Sequence, residues 1–150
     1  MASTDIGYLL NKATRQMRLQ LASRLAEFGL RPQQAAAIMA IARSAEGRLT
    51  PGQLAESIDT DAPTTSGVVV RLERDGWVAS EPNPDDGRSR LIVLTEKAEK
   101  IAPSVFAAAE AVSHEATSSL SADEVGMLGQ LLERLVDSSR SDASREGGAR

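Results

Sequence analysis

The sequence predicts a mainly α-helical protein interrupted by a single β-hairpin. Three observations carry that expectation. Apolar residues recur at steps of three and four along most of the chain, the mark of amphipathic helices. Pro, Gly and cap-forming residues punctuate these stretches where helices would start and stop. One segment departs from the pattern. NPDDGRSRLIVLT, Asn83 to Thr95, joins a polar turn carrying Arg88 and Arg90 to a continuous apolar run, Leu91 to Leu94.

The elements follow in chain order. Ile6, Leu9, Leu10, Ala13, Met17, Leu21, Leu25 and Phe28 mark one long helix from about Asp5 to Glu27, ended by Gly29. Pro32 opens a second helix with Ala35, Ile38, Met39 and Ala42 on its apolar face, broken at Glu46-Gly47. Thr50-Pro51-Gly52-Gln53 is a capping box with Pro at the first helical position, and a short helix follows it to about Ser57. Asp59-Thr60-Asp61 makes a tight turn, and Thr60 or Asp61 caps a further helix to about Asp75, which Gly76 stops. Trp77 to Ser80 and Arg90 to Leu94 bracket the hairpin as two strands. Thr95 caps an Ala-rich helix from Glu96, and Ser121 to Glu124 is a second capping box for a last helix. From Ser138 onward the composition turns to Ser, Asp, Arg and Gly, and residues 139–150 are expected to form a disordered tail.

Composition bounds the function. A chain of 150 residues suits one domain. No apolar run is long enough for a membrane span and MASTDIGYLL does not read as a signal peptide, so a cytoplasmic protein is expected. There is no cysteine, which excludes disulfides and thiol redox sensing, and His114 is the single histidine, too few for a zinc site. No Gly-rich phosphate loop, nucleophile elbow or His-carboxylate constellation supports an enzyme, and no cofactor or metal is expected. The net charge of −4 argues mildly against a nucleic-acid partner.

Two short helices across a tight turn, followed by a hairpin, describe a winged helix-turn-helix with a two-stranded β wing over about residues 32–95. The flanking stretches, about 5–28 and 96–138, are too extended to fold back on that unit and are expected to pack against a second copy. On the helix Asp61–Asp75, Val68 and Leu72, with Thr65 and Val69 beside them, should face the core. Pro63, Ser66, Gly67, Val70 and Arg74 form the opposite face, flanked by Thr64 and Arg71. That face is small, hydroxylated and basic toward its end, which suits approach to base edges and methyl groups. Charge counts against it, because four arginines face six carboxylates between Asp61 and Thr95, a net of −2. DNA affinity depends on where charges point rather than on their sum.

In these residues the chain resembles the multiple-antibiotic-resistance regulator (MarR) family of winged-helix repressors. The resemblance spans about Ile6 to Val136. Its most specific part is the wing pattern D-x-R-x5-L-T, met by Asp86, Arg88, Leu94 and Thr95; Leu54-Ala55 and VVVRLERDGWV, Val68 to Val78, also fit. The resemblance implies a homodimer joined by its first and last two helices, binding a pseudo-palindromic operator in double-stranded DNA. It implies that Arg88 enters the minor groove, that Asp86 orients the wing, and that a small phenolic or anionic effector modulates binding. Arg15, Met17, Arg18 and Met39 are the effector-site candidates. Three positions depart from the family pattern: Arg31 where a Thr cap is common, Asp59 where a Gly turn is common, and Gly67 where a basic base-reading residue is common. A helical dimer that binds a small molecule or a protein without touching DNA stays open, with Arg88 as the discriminating residue.

Overall fold

The computed structural model describes residues 5–146, with side chains to residue 138. The chain divides into two compact units, residues 1–113 and 114–150. Among the described residues there are six α-helices and three short strands.

The first unit holds α1 (Ile6–Leu25), α2 (Pro32–Arg43), β1 (Arg48–Leu49), α3 (Pro51–Ser57), α4 (Ala62–Arg74), β2 (Val78–Pro82), β3 (Arg90–Leu94) and most of α5 (Glu96–Ala116). A single 3-10 turn closes α1. Gly29, at φ 68, then turns the chain into α2 in the left-handed conformation that glycine adopts without strain. The core of this unit is aliphatic. Leu25, Ile38, Ile41, Leu54, Leu72 and Ile92 are among its fully buried side chains, with Ala98, Ala102 and Val105 of α5 beside them.

The expected two-stranded wing is part of a three-stranded antiparallel sheet in the order β1-β3-β2. Arg48 and Leu49 pair with Val93 and Ile92, and Val78 to Pro82 pair with Leu94 to Arg90. β3 is the central strand, bonded on both edges; Ile92 is buried and Leu91, Val93 and Leu94 are half-buried, so both faces of the run are at least partly covered. β1 has two residues, too few to leave a periodicity in the sequence. β2 also runs two residues beyond Ser80 and ends at Pro82, which has no N–H to continue the ladder.

The helix-turn-helix is assembled by its caps. The Thr50 hydroxyl accepts from the Gln53 amide at 3.2 Å while Gln53 Oε1 accepts from the Thr50 amide at 2.9 Å, the full capping box. Asp59 takes φ 51, which an Asp side chain tolerates better than most, so the turn forms without glycine. Asp61, not Thr60, caps α4: its Oδ1 accepts from the Thr64 amide at 2.7 Å. The Thr60 and Thr65 hydroxyls bond each other at 2.8 Å, and Thr65 also donates to the Asp61 carbonyl, which satisfies a buried hydroxyl. At α2, where Arg31 precedes the helix, the Gln34 side chain accepts from the Arg31 amide at 2.9 Å and supplies half of a box.

The C-terminus of α4 is tied to the start of α5. Lys97 Nζ donates to the Asp75 carbonyl at 2.8 Å and lies 3.8 Å from the centroid of the Trp77 ring. The Thr95 hydroxyl donates to the Gly76 carbonyl at 2.7 Å. Trp77 is buried and packs in the core, as a packing anchor should.

The second unit holds the end of α5 and α6 (Ala122–Glu146). The Ser121 hydroxyl accepts from the Glu124 amide and Glu124 accepts from the Ser121 amide, the second capping box. The helix continues well past Ser138, into the stretch expected to be a disordered tail. The reason is local: from Ser138 to Glu146 the sequence contains no Gly or Pro, and each added residue of a nucleated helix gains a bond. Residues 147–150 of that expected tail lie outside the described residues.

The amide of Thr64 holds the Asp61 carboxyl below the usual carboxylate range. A carboxylate lowered on folding adds stability above its unfolded value and loses it as pH falls through the folded one. Asp61→Ala is therefore expected to destabilise the protein at neutral pH, in urea unfolding followed by circular dichroism. The gap between parent and variant should close as the pH drops below the ordinary carboxylate range. A gap that stays constant through that range would show that Asp61 does not cap α4 as a carboxylate.

Candidate nucleic-acid interface

The rotation of α4 about its axis is set by the stripe it buries. Thr65, Val68 and Leu72 are no more than 1% exposed, at steps of three and four, and Val69 is half-buried beside them. The opposite stripe is open. Pro63, Ser66, Val70, Arg71 and Arg74 are exposed, Thr64 and Gly67 partly so, and Val70 is 60% exposed despite its apolar side chain.

One flank of this helix meets the hairpin across an open groove of about 690 Å³. Its walls are the first turn of α3 (Thr50 to Gly52), Ala62, Ser66 and Val69 of α4, and Ser80, Asn83, Asp86, Arg88, Ser89 and Arg90 of the wing. Of the residues expected from the sequence, the groove brings together Ser66, Asp86, Arg88 and Arg90. Pro63, Thr64, Gly67, Val70, Arg71 and Arg74 do not line it and lie along the exposed helix. Thr50, Gly52, Ser80, Asn83 and Ser89 were missed. Thr50 and Gly52 had a sequence signal, the capping box that opens α3; Ser80 is carried here by the hairpin register, and Asn83 and Ser89 by the wing turn.

The wing tip is a braced turn. Asp86 Oδ1 accepts from the Arg88 amide at 3.0 Å, and the Asp86 carbonyl accepts from the Ser89 amide at 3.0 Å. Asn83 Oδ1 accepts from the Asp85 amide at 3.0 Å in the same manner. Asx side chains that bond the backbone two residues on are a standard way to set such turns. The carboxylate of Asp86 thus fixes the backbone from which the Arg88 side chain leaves.

The four arginines of this region are not equivalent. Arg74 forks onto the Asp75 carboxylate at 2.8 and 3.1 Å, and that hydrogen bond pushes its pKa up and the Asp75 pKa down. Arg90 Nη2 donates to the Ser80 carbonyl at 2.7 Å, across the hairpin. Arg71 and Arg88 are exposed, and among the described residues no hydrogen bond or ion pair engages either guanidinium. The acids are largely occupied: Asp61 caps α4, Glu73 accepts from the Ser80 hydroxyl, Asp75 holds Arg74, and Asp86 braces the wing. The two free cations therefore stand against carboxylates already turned to local tasks.

A second crevice, of about 370 Å³, opens between α1, the start of α2 and α5. Thr14, Met17, Arg18, Leu21, Pro32, Ala109, Val112 and Ser113 line it. It contains Met17 and Arg18 of the effector-site candidates. Arg15 is exposed and Met39 packs against the core, so neither lines it. Among the described residues no cluster of His, Asp or Glu is arranged to hold a metal ion, and no helix is long and apolar enough to cross a membrane.

Sequence and fold comparisons agree on where such a chain belongs. A family model described as "MarR family" matches residues 28–89, the helix-turn-helix and the turn of the wing. The multiple antibiotic resistance protein MarR of Salmonella typhimurium is 31% identical over 91 residues, covering 60% of this chain and 63% of that protein, so the matched stretch is under two thirds of its length. A probable transcriptional regulator from Pseudomonas aeruginosa is 31% identical, with a TM-score of 0.80 over 88% of this chain and 97% of that one. A mutant MarR from E. coli, solved in complex with operator DNA, is 26% identical with a TM-score of 0.80, over 88% of this chain and 94% of that one. Joined to the winged helix-turn-helix built above, these matches place the chain in the MarR family.

Proposed function

We propose that the protein is a homodimeric, sequence-specific DNA-binding transcriptional regulator, a repressor of the MarR type whose DNA affinity a small molecule modulates. The observation that carries this reading is the groove in which the unpaired Arg88 and the exposed flank of α4 face the same space. A helix with one stripe buried and the other bare is what insertion into a major groove requires, and a cation on an adjacent hairpin suits the neighbouring minor groove. The similar MarR solved with operator DNA supports it. Two copies would read a pseudo-palindromic site with half-sites about one helical turn apart.

The dimer rests on α6. Leu128, Leu131, Leu132, Leu135 and Val136 recur at helical spacing on it and are 37–49% exposed. An apolar stripe of that length left open to water marks an interaction surface, and the occupant proposed is a second copy of this chain. The crevice between α1 and α5 would take the effector. Its lining is mostly apolar and carries one cation, Arg18, which suits a small aromatic anion.

Selection of bound fragments from genomic DNA should return a pseudo-palindrome. On that site, Arg88→Ala is expected to weaken binding about tenfold and flatten the salt dependence. Arg74→Ala should do less, because Asp75 already holds that guanidinium. Equal binding by parent and Arg88→Ala at several salt concentrations would overturn the wing assignment and favour a helical dimer that does not bind DNA.

Light scattering should give twice the chain mass for the parent and the chain mass for Leu131→Asp/Leu135→Asp. A monomeric parent would remove the dimer from the proposal. With benzoate as the probe, titration should release the parent from its operator fragment and leave Arg18→Ala bound. Release of both alike would show that the crevice is not the effector site.

A further inference from the structure

We infer that Arg71 is the base-reading residue of α4, and that it reaches the bases because position 67 carries no side chain. The inference rests on the DNA-binding reading above and deepens it. Long side chains on a helix lie back over the turn N-terminal to their own Cα, so the stem of Arg71 runs over residue 67. There the structure shows a close approach: Arg71 Nη2 stands 3.6 Å from the position that a Cβ on Gly67 would occupy. The guanidinium thus lies over the bare backbone of Gly67, one turn nearer the N-terminus of α4 than its own Cα.

That displacement decides what Arg71 can touch. Helix-turn-helix proteins contact base edges with the N-terminal part of the second helix, while residues nearer its C-terminus diverge from the groove floor. The other side chains on the exposed stripe of α4 near that end are short: Pro63, Thr64, Ser66 and Val70. None of them carries a charge or two donors. Arg74 sits further along, and its fork is filled by Asp75. Arg71 alone on this helix combines a free, planar five-donor group with a position over the N-terminal half. The base edge that such a fork matches in the major groove is guanine, through O6 and N7. Val70 is exposed next to it and offers a methyl surface to a neighbouring thymine.

Gly67 acts here only through Arg71. Its backbone is ordinary helix, and a Cβ would make a normal contact at 3.6 Å, so a larger residue is tolerated by the fold. Glycine within a helix lowers its stability relative to alanine. Only a side chain reaching beyond Cβ at 67 would enter the space of the guanidinium.

The test compares binding-site profiles from randomised duplexes for the parent, Arg71→Ala, Arg71→Lys and Gly67→Leu. The parent should show a guanine preference of about tenfold or more at one position in each half-site. Arg71→Ala should lose it and Arg71→Lys should weaken it, since an ammonium lacks the planar fork that matches O6 and N7. Gly67→Leu keeps the charge but fills the space, and should also flatten that position. Circular dichroism and light scattering on each variant exclude misfolding as the cause. The inference is overturned if Arg71→Ala weakens all sequences uniformly and Arg71→Lys restores binding, the behaviour of a phosphate contact. An unchanged profile in Gly67→Leu overturns it as well. A parent that selects no sequence at all defeats the DNA-binding reading itself, which is a different result.

Discussion

The burial of one stripe of α4 is the constraint on which the rest of the molecule depends. Thr65, Val68 and Leu72 are almost wholly removed from water, and each additional apolar side chain so buried stabilises the docking by about 1.5–3 kcal/mol. A helix held in this way cannot rotate, because a turn of one residue would swing Leu72 out and Arg71 in. The identity of the exposed face is therefore a consequence of the core. Thr65 fits this layer only because its hydroxyl is satisfied by the Asp61 carbonyl and the Thr60 hydroxyl. Without those bonds a buried hydroxyl would oppose the packing that positions the face.

Translation along the axis is limited at the two ends. At the start, Asp61 caps the first turn. At the finish, Lys97 and Thr95 bond the carbonyls of Asp75 and Gly76, and Lys97 also lies over Trp77. These contacts belong to residues at the head of α5, so the exposed helix and the long helix that follows the wing share one joint. The wing is fixed by a third route. β3 bonds to a strand on each edge, and Ile92 at its middle is buried in the same core as Leu72. The helix and hairpin that face the groove are thus referenced to one aliphatic cluster.

Much of this was legible in the sequence, and what was not has physical causes. Helix boundaries at Thr50 and Ser121 were readable, and that of α4 to within one residue, Thr60 or Asp61, because caps are local chemistry: a side chain bonds an amide three residues on. The inner and outer stripes of α4 were readable because helical periodicity is regular. β1 was not, since two residues carry no period and its pairing with Val93 and Ile92 closes across more than forty residues of chain. The run of α6 to Glu146 was hidden by composition, where polar residues that continue a helix look like those of a tail. At the site, the four arginines looked alike as letters. That Arg74 and Arg90 are held while Arg71 and Arg88 are free is decided by which acceptor each long side chain reaches in space.

The acidity of the chain becomes less of an objection once the charges are placed. DNA affinity through counterion release scales with the number of phosphates neutralised, and a surface with few free cations gains little from it. On α4 and the wing only Arg71 and Arg88 are unpaired, and four of the six surrounding carboxylates are engaged in caps, turns or pairs. On the proposed DNA-binding reading, non-specific attraction to a duplex is then weak and falls only gently with salt. Binding strength has to come from contacts that exist at the right sequence: a two-pronged donor on a base edge, an apolar surface on a methyl group, a cation in a narrowed minor groove. A poorly charged interface loses speed of search but gains contrast between its own site and the rest of the genome, because the term common to all sequences is small. On such a surface, under the reading proposed for Arg71, a glycine at position 67 matters more than another lysine would, since it bears on what is read rather than on how strongly any duplex is held.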